Sequence, residues 1–300
     1  MNISHIPRTE KIITRLVQAA GYLSILFVAL ISLFLLKEAT PALLNIKLSN
    51  LFSTRWYPIE TYFGILPLFF GSVTVTIGAT IIAVPLGVGT AIFISEVAPP
   101  RLTIGILKPL VEILAGIPSV VLGFFGIIVL SPFLRITFNL PTGLTALAGS
   151  ILLGWAAIPT IVSVSEDALN NVPQSYRHAS LALGATPWQT IWNVTLPAAR
   201  SGVLTAVMLG IGRVIGETMA VMMVTGNAPV MPTRLNAILS PIRTMTATIA
   251  SEMGEVAQGS DHYHVLFFIG VTLFLVSLII NIASYRLTYR KMKRSERLLS

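Results

Sequence analysis

Long apolar runs separated by shorter polar segments make up most of this chain. Each run has about the 20 residues that a helix needs to cross a hydrocarbon core roughly 30 Å thick, and none alternates like the strands of a membrane barrel. The pattern predicts an all-α polytopic membrane protein with six transmembrane helices. We place them at residues 17–36, within 63–95, from about 110 to 134, within 142–165, from about 198 to 226, and at 265–285.

A polar segment, residues 166–200, separates the fourth and fifth runs. Its prolines, glycine and threonine lie where two short amphipathic helices would begin and end. The first should begin near Pro173, which favours a first helical turn, and end at Gly184, a natural C-terminal cap. The second should have Thr186 as its N-cap and Pro187 as its first residue. The helical period groups one set of side chains on each helix: Tyr176, Ala179, Ser180 and Leu183, then Trp188, Ile191 and Trp192.

This helical pair joins directly to apolar runs on both sides, and the later run should start at Leu196 and Pro197. A bent pair outside the bilayer, attached to two spans, suits an element that receives a push from another protein. The first apolar run is longer than the core of a signal peptide, and no small-residue cleavage site follows it. We therefore expect that run to remain as a span.

Charge is scarce and unevenly placed. Apolar residues make up 54% of the chain and charged residues only 11%. The net charge of +8 comes mainly from basic residues beside the apolar runs, without interleaved aromatics, so we expect no nucleic-acid binding. The side with both termini and residues 166–200 is richer in lysine and arginine, which predicts that it is cytoplasmic. The basic tail, residues 286–300, suits a stop-transfer flank, with contact to anionic lipid as the alternative.

Two charges lie inside the fifth run, where a charged side chain costs about 2.5–3.5 kcal/mol. Arg213 lies about 24 Å along a helix from Pro197, and Glu217 follows at i+4 on the same face. Two interpretations remain open. The residues form a structural ion pair that fixes helix packing, or Arg213 helps an anion to cross while Glu217 holds the guanidinium in its absence.

Four weaker candidates carry polar chemistry near the spans. Glu112 lies at the start of the third run, where its carboxylate can reach the interface. Ser119 follows a proline, and a helix broken there can present donors to a passing ligand. His262 and His264 have the spacing of metal ligands but no supporting cluster, so we expect a surface-loop role and no metal.

Several enzyme signatures are missing from the sequence. It contains no phosphate-binding GxxxxGK loop, no nucleophile elbow and no zinc motif. It also contains no cysteine, which excludes disulfides, iron–sulfur clusters and thiol catalysis. We expect no catalytic residue and no cofactor. A solute moved uphill would need an ion gradient or a separate ATPase, and the helical pair favours the ATPase.

The segment HASLALGATPWQTIWNVTLP resembles the EAA loop of ABC-transporter permeases, in which E-A-A precedes a glycine and then I-x-L-P. His178 replaces the usual glutamate and Ser180 the second alanine. By this resemblance residues 174–183 dock in a groove of a separate ATPase, within a type I ABC transmembrane fold. The residues assigned to ATPase coupling are Tyr176, His178, Ala179, Ser180, Leu183, Gly184, Leu196 and Pro197.

Other segments resemble one subfamily, the PstC-type permeases of phosphate importers. They are GSVTVTIGATIIAVPLGVGTAIFISEVAPPR, VEILAGIPSVVLGFFG, GRVIGETMAV and TATIASEMGE. The resemblance implies a bacterial cytoplasmic-membrane protein that passes phosphate. Its partners would be a PstA-like second permease subunit, a PstB-like ATPase dimer that hydrolyses the ATP, and a PstS-like phosphate-binding protein. The alternatives are a permease for sulfate or molybdate and a membrane partner in phosphate-status signalling.

The same resemblance divides the chain into three parts. Residues 1–62 form an N-terminal segment with the first span and an extracytoplasmic loop. Residues 63–285 form the permease core, which contains the coupling loop at 166–200, and residues 286–300 form the cytoplasmic tail. Candidate pathway residues within the core are Arg213, Glu217, Ser119 and Glu112.

Overall fold

The computed structural model describes residues 8–233 and 235–299. The α-helices are Arg8–Asn45, Leu48–Leu51, Leu66–Ile92, Pro100–Leu102, Lys108–Gly116, Ser119–Phe125, Ser131–Thr137, Ala146–Asn170, Gln174–Ala182, Pro187–Thr190, Leu196–Gly216, Met219–Val224, Met245–Glu252 and Asp261–Leu299. Five-residue π turns are Phe93–Val97, Thr103–Leu107, Gly126–Leu130 and Ile191–Thr195, and 3₁₀ turns are Pro58–Glu60 and Leu235–Leu239. Two short antiparallel strands, Trp56–Tyr57 and Tyr62–Phe63, form a hairpin.

Six helical stretches in the described ranges are long and apolar enough to cross a membrane, which confirms the predicted all-α architecture. They are Ile12–Asn45, Leu66–Val97, Ser119–Thr137, Ala146–Asn170, Pro187–Gly216 and Asp261–Ala283, called here the first to sixth spans. The side chains of residues 287–299, most of the basic tail, lie outside the described part, so its contact with lipid stays a prediction.

The third and fifth spans differ from the predicted ones because the backbone breaks inside each apolar run. Ile117, before Pro118, is extended with ψ 122°, since proline disfavours the helical region for the residue that precedes it. The helix Lys108–Gly116 is therefore separate from the third span. In the fifth run the helix ends at Gly216, and Glu217 is extended with ψ 131°. The predicted continuous helix to residue 226 is wrong.

The polar segment 166–200 contains the first predicted helix almost as expected. Pro173 is the N-cap of Gln174–Ala182, and Gly184 follows in the left-handed region with φ 83°. Thr186 caps the second helix in a capping box, because its hydroxyl accepts from Gln189 N and the Gln189 side chain accepts from Thr186 N. Both predicted helix starts are confirmed, the first by the position of Pro173 and the second by these bonds at Thr186.

The second predicted helix does not end before the fifth span but continues into it. The π turn Ile191–Thr195 leads directly into Leu196–Gly216, with Pro197 in the first turn of that helix. Proline has no N–H to donate, and it follows directly on the π turn, whose last bond runs from Leu196 N to Ile191 O. The apolar run that begins at Leu196 is therefore a continuation of one long helix.

Close packing of the second span on the fourth forms the centre of the bundle. A Cβ placed on Gly87 would lie 2.7 Å from Ile161 Cγ2, and one on Gly154 would lie 3.1 Å from Ile82 Cγ2. Small residues at such crossings let two helix backbones approach, which is how membrane helices gain van der Waals contact. The two spans therefore form one tightly packed unit.

A polar cluster fixes the end of the bundle that carries the hairpin. Glu252 forms an ion pair with Arg243 at 2.6 Å, bonds His262 Nε2 at 2.8 Å and accepts from Trp56 Nε1 at 3.2 Å. Burial acts to raise the pKa of Glu252, but His262, the charge of Arg243 and Trp56 together hold this pKa below its usual value. The cluster ties the hairpin to the start of the sixth span.

The lowered pKa of Glu252 predicts a pH-dependent contribution to stability. This contribution should be complete above pH 4.5, the ordinary pKa of the group, and should disappear as the pH falls through the lower folded-state pKa. Glu252→Gln should lose about 1–3 kcal/mol at neutral pH, less than a fully buried pair because the side chains keep some exposure.

Thermal unfolding in detergent, followed by circular dichroism, measures the effect. The midpoints of wild type and Glu252→Gln should differ at neutral pH and converge in acid. Glu255→Gln, which alters an exposed carboxylate nearby, is the matched control and should behave as wild type. A difference that persists unchanged into strong acid would contradict this assignment.

Candidate functional site

The two backbone breaks within the apolar runs lie at the starts of two short helices that pack together. Ser119–Phe125 follows the first break and Met219–Val224 follows the second. Gly123 makes the contact possible, since a Cβ there would lie 2.5 Å from Met223 Sδ and 3.3 Å from Ala220 Cα. The fold therefore brings together two discontinuous helices that are far apart in sequence.

Glu217 compensates for the second break with its own carboxylate. Its Oε1 accepts from the backbone N–H of Thr218 at 3.2 Å and of Ala220 at 3.4 Å, and its carbonyl accepts from Thr246 Oγ1 at 3.1 Å. An unsatisfied backbone donor in the hydrocarbon region would cost several kcal/mol. Glu217 therefore acts as the cap of Met219–Val224.

A small polar cavity lies beside this cap. Its volume is about 10 Å³, room for roughly one water molecule. Its polar lining is Ser72, Thr76, Glu217, Thr244 and Thr246, and its apolar lining is Val75, Leu153, Val214, Ile215 and Val221. The hydroxyl groups suit hydrogen bonding to an anion, but an anion larger than water would enter only if the surrounding helices moved apart.

Arg213 is placed differently from the sequence-based expectation. It lies in the last turn of Leu196–Gly216, so Glu217, beyond the helix end, does not share its helical face. No carboxylate of the described residues forms an ion pair with Arg213, and its Nη1 donates to Thr160 Oγ1 at 3.1 Å. The predicted i+4 relation between Arg213 and Glu217 is wrong because the helix ends at Gly216, one residue before Glu217. Arg213 is exposed on this single chain.

Ser119 and Glu112 lie on opposite sides of the first break. Ser119 is the first residue of Ser119–Phe125 and is half-buried. Glu112 is exposed on Lys108–Gly116, ahead of the third span instead of at its start. It lies one helical turn from Lys108, and its charge is among those that raise the pKa of that lysine. The structure thus groups Ser119, but not Glu112, with the paired short helices.

The helix Gln174–Ala182 presents most of its predicted apolar face outward. Tyr176 is 45% exposed and Leu183, which caps the helix, 89% exposed, while Ala179 and His178 are also exposed. Ser180 instead points inward, and its hydroxyl lies 2.9 Å from Thr190 Oγ1. The face is apolar, prominent and uncovered by any described residue of this chain. Leu196 is half-buried and Pro197 exposed in the following helix.

One residue that sequence reasoning missed attaches this helix to the bundle. Arg177 donates through Nε and Nη2 to the two carboxylate oxygens of Glu96 at 3.2 and 2.6 Å. It also donates to the carbonyls of Val172 at 2.6 Å and Leu169 at 2.9 Å. The Arg177 and Glu96 side chains are only 11% and 8% exposed. No local pattern links the two residues; the pairing arises from the fold.

A second ion pair lies at the same end of the bundle. Lys108 Nζ lies 2.7 Å from Glu166 Oε1. The hydrogen bond with Glu166 raises the pKa of Lys108, against the opposing effect of partial burial, and the charges of Glu166, Asp167 and Glu112 add to the rise. Lys108 therefore stays protonated through the neutral range. Its positive charge balances the carboxylate of Glu166 near the end of the fourth span.

The two histidines lie in the first turn of the sixth span, not in the predicted surface loop. His262 Nε2 bonds Glu252, and His264 Nδ1 lies 2.8 Å from the carbonyl oxygen of Glu38. Their side chains therefore link the sixth span to Met245–Glu252 and to the first span. Both act as packing and hydrogen-bonding residues of the bundle.

Residues 83–294 match the sequence profile of the family described as binding-protein-dependent transport system inner membrane component. The chain belongs to this family. Its match begins within the second span and includes the outward-facing helix and both paired short helices. The protein is thus a permease of an ABC transport system in the bacterial inner membrane, and such a membrane subunit is not itself catalytic.

Two curated relatives support a narrower grouping. The probable ABC transporter permease protein YqgH of Bacillus subtilis is 43% identical over 229 residues, which cover 76% of this chain and 73% of the relative. The phosphate transport system permease protein PstC of Mesorhizobium japonicum is 35% identical over 301 residues, which cover 93% and 90%. The resemblance to PstC-type permeases is therefore confirmed.

Solved structures confirm the type I ABC permease fold. The inward-facing MetNI methionine ABC transporter superposes with a TM-score of 0.57 at 21% identity, with 79% of this chain and 99% of that one covered. A bacterial alginate ABC transporter, solved with an alginate-bound periplasmic protein, gives 0.60 at 15% identity over 95% and 98%. At these low identities the two similarities support a shared permease fold and nothing about the substrate.

The capping role of Glu217 predicts unequal effects of two substitutions. Glu217→Ala removes the acceptor and leaves the N–H groups of Thr218 and Ala220 without it, at a cost of about 1–3 kcal/mol. Glu217→Gln keeps a carbonyl oxygen in the same place and should lose less. Thermal unfolding of the purified permease in detergent compares the two. Equal losses would show that the negative charge, not the acceptor, stabilises the break.

Proposed function

We propose that this permease passes inorganic phosphate across the bacterial cytoplasmic membrane, driven by ATP that separate ATPase subunits hydrolyse. We infer the substrate from the similarity to PstC. The alignment with the Mesorhizobium japonicum PstC covers 93% of this chain. The proposed partners are a PstA-like permease subunit, a PstB-like ATPase pair and a PstS-like binding protein.

The exposure of Arg213 supports a second permease subunit. An arginine at that depth would cost about 2.5–3.5 kcal/mol or more against lipid, and its single hydrogen bond to Thr160 does not neutralise it. The exposed side of the Arg213 side chain is therefore more stable against protein or water than against lipid. An interface between two permease subunits offers both, and there Arg213 would attract a passing anion.

The neighbouring polar cavity supports a transient path and not a storage site. Ser119 and Glu217 begin the two paired short helices, and hydroxyl groups line the space beside Glu217. The backbone donors of Thr218 and Ala220 already bond the Glu217 carboxylate. Phosphate would reach Arg213 from its exposed side, and would meet the hydroxyl groups of the cavity only after the short helices separate. Weak binding of this kind lets the anion leave, and selectivity would reside chiefly in the binding protein.

The outward face of Gln174–Ala182 supports docking of an ATPase. Tyr176, Ala179 and Leu183 form an exposed apolar surface on a helix that is anchored on its other side. A helix that places an apolar face in a partner's groove is a common recognition mode. This end of the molecule would then be cytoplasmic, together with both termini.

Arg213→Gln tests the proposed path. In a reconstituted complex that assembles and binds ATP normally, phosphate uptake should fall about tenfold or more, because the pathway loses its attracting charge. Uptake of radiolabelled phosphate into proteoliposomes measures it. Arg135→Gln, at an exposed arginine in the last turn of Ser131–Thr137, is the matched control and should transport normally. Undiminished uptake by Arg213→Gln would remove Arg213 from the path.

Leu183→Asp tests the docking surface. A carboxylate in the middle of an apolar contact should weaken ATPase binding by about tenfold or more, because the charge must be desolvated on binding. Leu181→Asp places the same charge roughly 200° around the helix and should bind more nearly as wild type. Co-purification and light scattering of the mixed subunits measure association. Equal binding by both variants would place the ATPase elsewhere.

A further inference from the structure

The surface helix Gln174–Ala182 is held to the bundle mainly through one guanidinium. Arg177 makes four hydrogen bonds, two to Glu96 and one each to the carbonyls of Leu169 and Val172. The other side-chain hydrogen bond from this helix joins Ser180 to Thr190. A force applied to the outer face of the helix would therefore pass into the bundle through the backbone of residues 171–173, which leads to the fourth span, and through the bonds of Arg177.

The partners of Arg177 belong to two different spans. Glu96 lies in the turn Phe93–Val97 that ends the second span. Leu169 lies in the last turn of the fourth span, and Val172 follows its end. Arg177 thus contacts the ends of both spans at once, and all of these partners precede the Gly184 turn in the chain.

Additional contacts join these two span ends to each other. Ser95 Oγ donates to Asn170 Oδ1 at 2.9 Å and links the two ends, while Asn170 Nδ2 donates to Glu166 Oε1 at 3.2 Å within the fourth span. Further along, the same spans pack closely where Gly87 faces the side chain of Ile161 and Gly154 faces that of Ile82. The second and fourth spans therefore form a single stiff body from the surface inward.

The connection to the fifth span is of a different kind. Gly184 has φ 83°, and a Cβ placed there would meet no atom within 4 Å. This turn is an unpacked joint, in a conformation that glycine adopts without strain. Across Gly184 the surface helix keeps one side-chain hydrogen bond, from Ser180 to Thr190. On its other side Arg177 makes four, so the attachment to the second and fourth spans is the stronger one.

We propose that Arg177 and Glu96 form a clamp that makes the surface helix and the ends of the second and fourth spans move as one body. This inference rests on the proposed function, because the ATPase would supply the force. Arg177 is a positioning residue, since it acts on the pathway through the spans. The planar fork of arginine meets both carboxylate oxygens at once, which a lysine ammonium does not reproduce.

A distance measurement tests the clamp directly. The chain contains no cysteine, so spin labels can be attached through Leu181→Cys and Ile81→Cys, at exposed positions on the surface helix and the second span. Ile81 lies about 22 Å along the span from Glu96. The distance distribution, measured by double electron–electron resonance, should be narrow and the same in nucleotide-free and ATP-bound complexes. A shift between the two states would overturn the clamp.

Two substitutions should break the clamp between Arg177 and Glu96. In Glu96→Gln and Arg177→Lys, the distance distribution should broaden in the permease alone, in lipid nanodiscs without any ATPase. In the full complex, phosphate transported per ATP hydrolysed should fall about fivefold or more, while ATP hydrolysis continues. Arg101→Lys and Glu255→Gln, both at exposed positions, are the matched controls and should match wild type.

The outcomes separate the clamp from the proposed function. Unchanged distances and unchanged transport per ATP in both variants would overturn the clamp. Parallel loss of ATP hydrolysis and transport, at a constant ratio, would also overturn it, because the pair would then serve only assembly. If no ATPase or phosphate coupling is found in wild type, the proposed function fails, whereas broadening in nanodiscs would still establish the mechanical link.

Discussion

The constraint on which this structure depends is that backbone polar groups within the hydrocarbon must find partners inside the protein. Two helices in this chain break within apolar runs, at Ile117 and at Glu217. At the second break a carboxylate oxygen and a threonine hydroxyl take over the missing hydrogen bonds. Because irregular backbone within the hydrocarbon persists only where protein or a cavity surrounds it, the second break, with its partners and the small cavity beside it, belongs to the interior of the permease.

The same constraint gives the charged residues distinct roles. Glu217 is used locally, by the backbone beside it, and the Arg177–Glu96 and Lys108–Glu166 pairs lie where spans end. Arg213 differs from these because its charge is not matched by any described carboxylate within ion-pair distance. A charge left over in this way needs surroundings that a single chain does not provide. This unmatched charge is the feature that supports the second permease subunit proposed above.

Local signals explain which features the sequence could predict. The six spans follow from run length, the helix Gln174–Ala182 from Pro173 and Gly184, and the start of the next helix from Thr186 and Pro187. The break at Glu217 was missed because no proline announces it; it depends on Thr246, 29 residues later. The Arg177–Glu96 pair joins residues 81 positions apart. Contacts of this range are set by the packing of spans, which a single sequence does not display.

Stiffness and freedom are distributed unevenly over the fold, and this follows from residue choice. Glycines at the crossing of the second and fourth spans give a tight contact, and the fork of Arg177 extends that body to the surface helix. Gly184 differs from these glycines, since a Cβ added there would meet no atom within 4 Å and no neighbouring span packs on it at that position. A push at the surface would thus reach the membrane interior with little loss along the second and fourth spans. The short helices after Pro118 and Glu217 pack on each other at Gly123, so under the proposed function a push that arrives through these spans has to shift this contact to open a path.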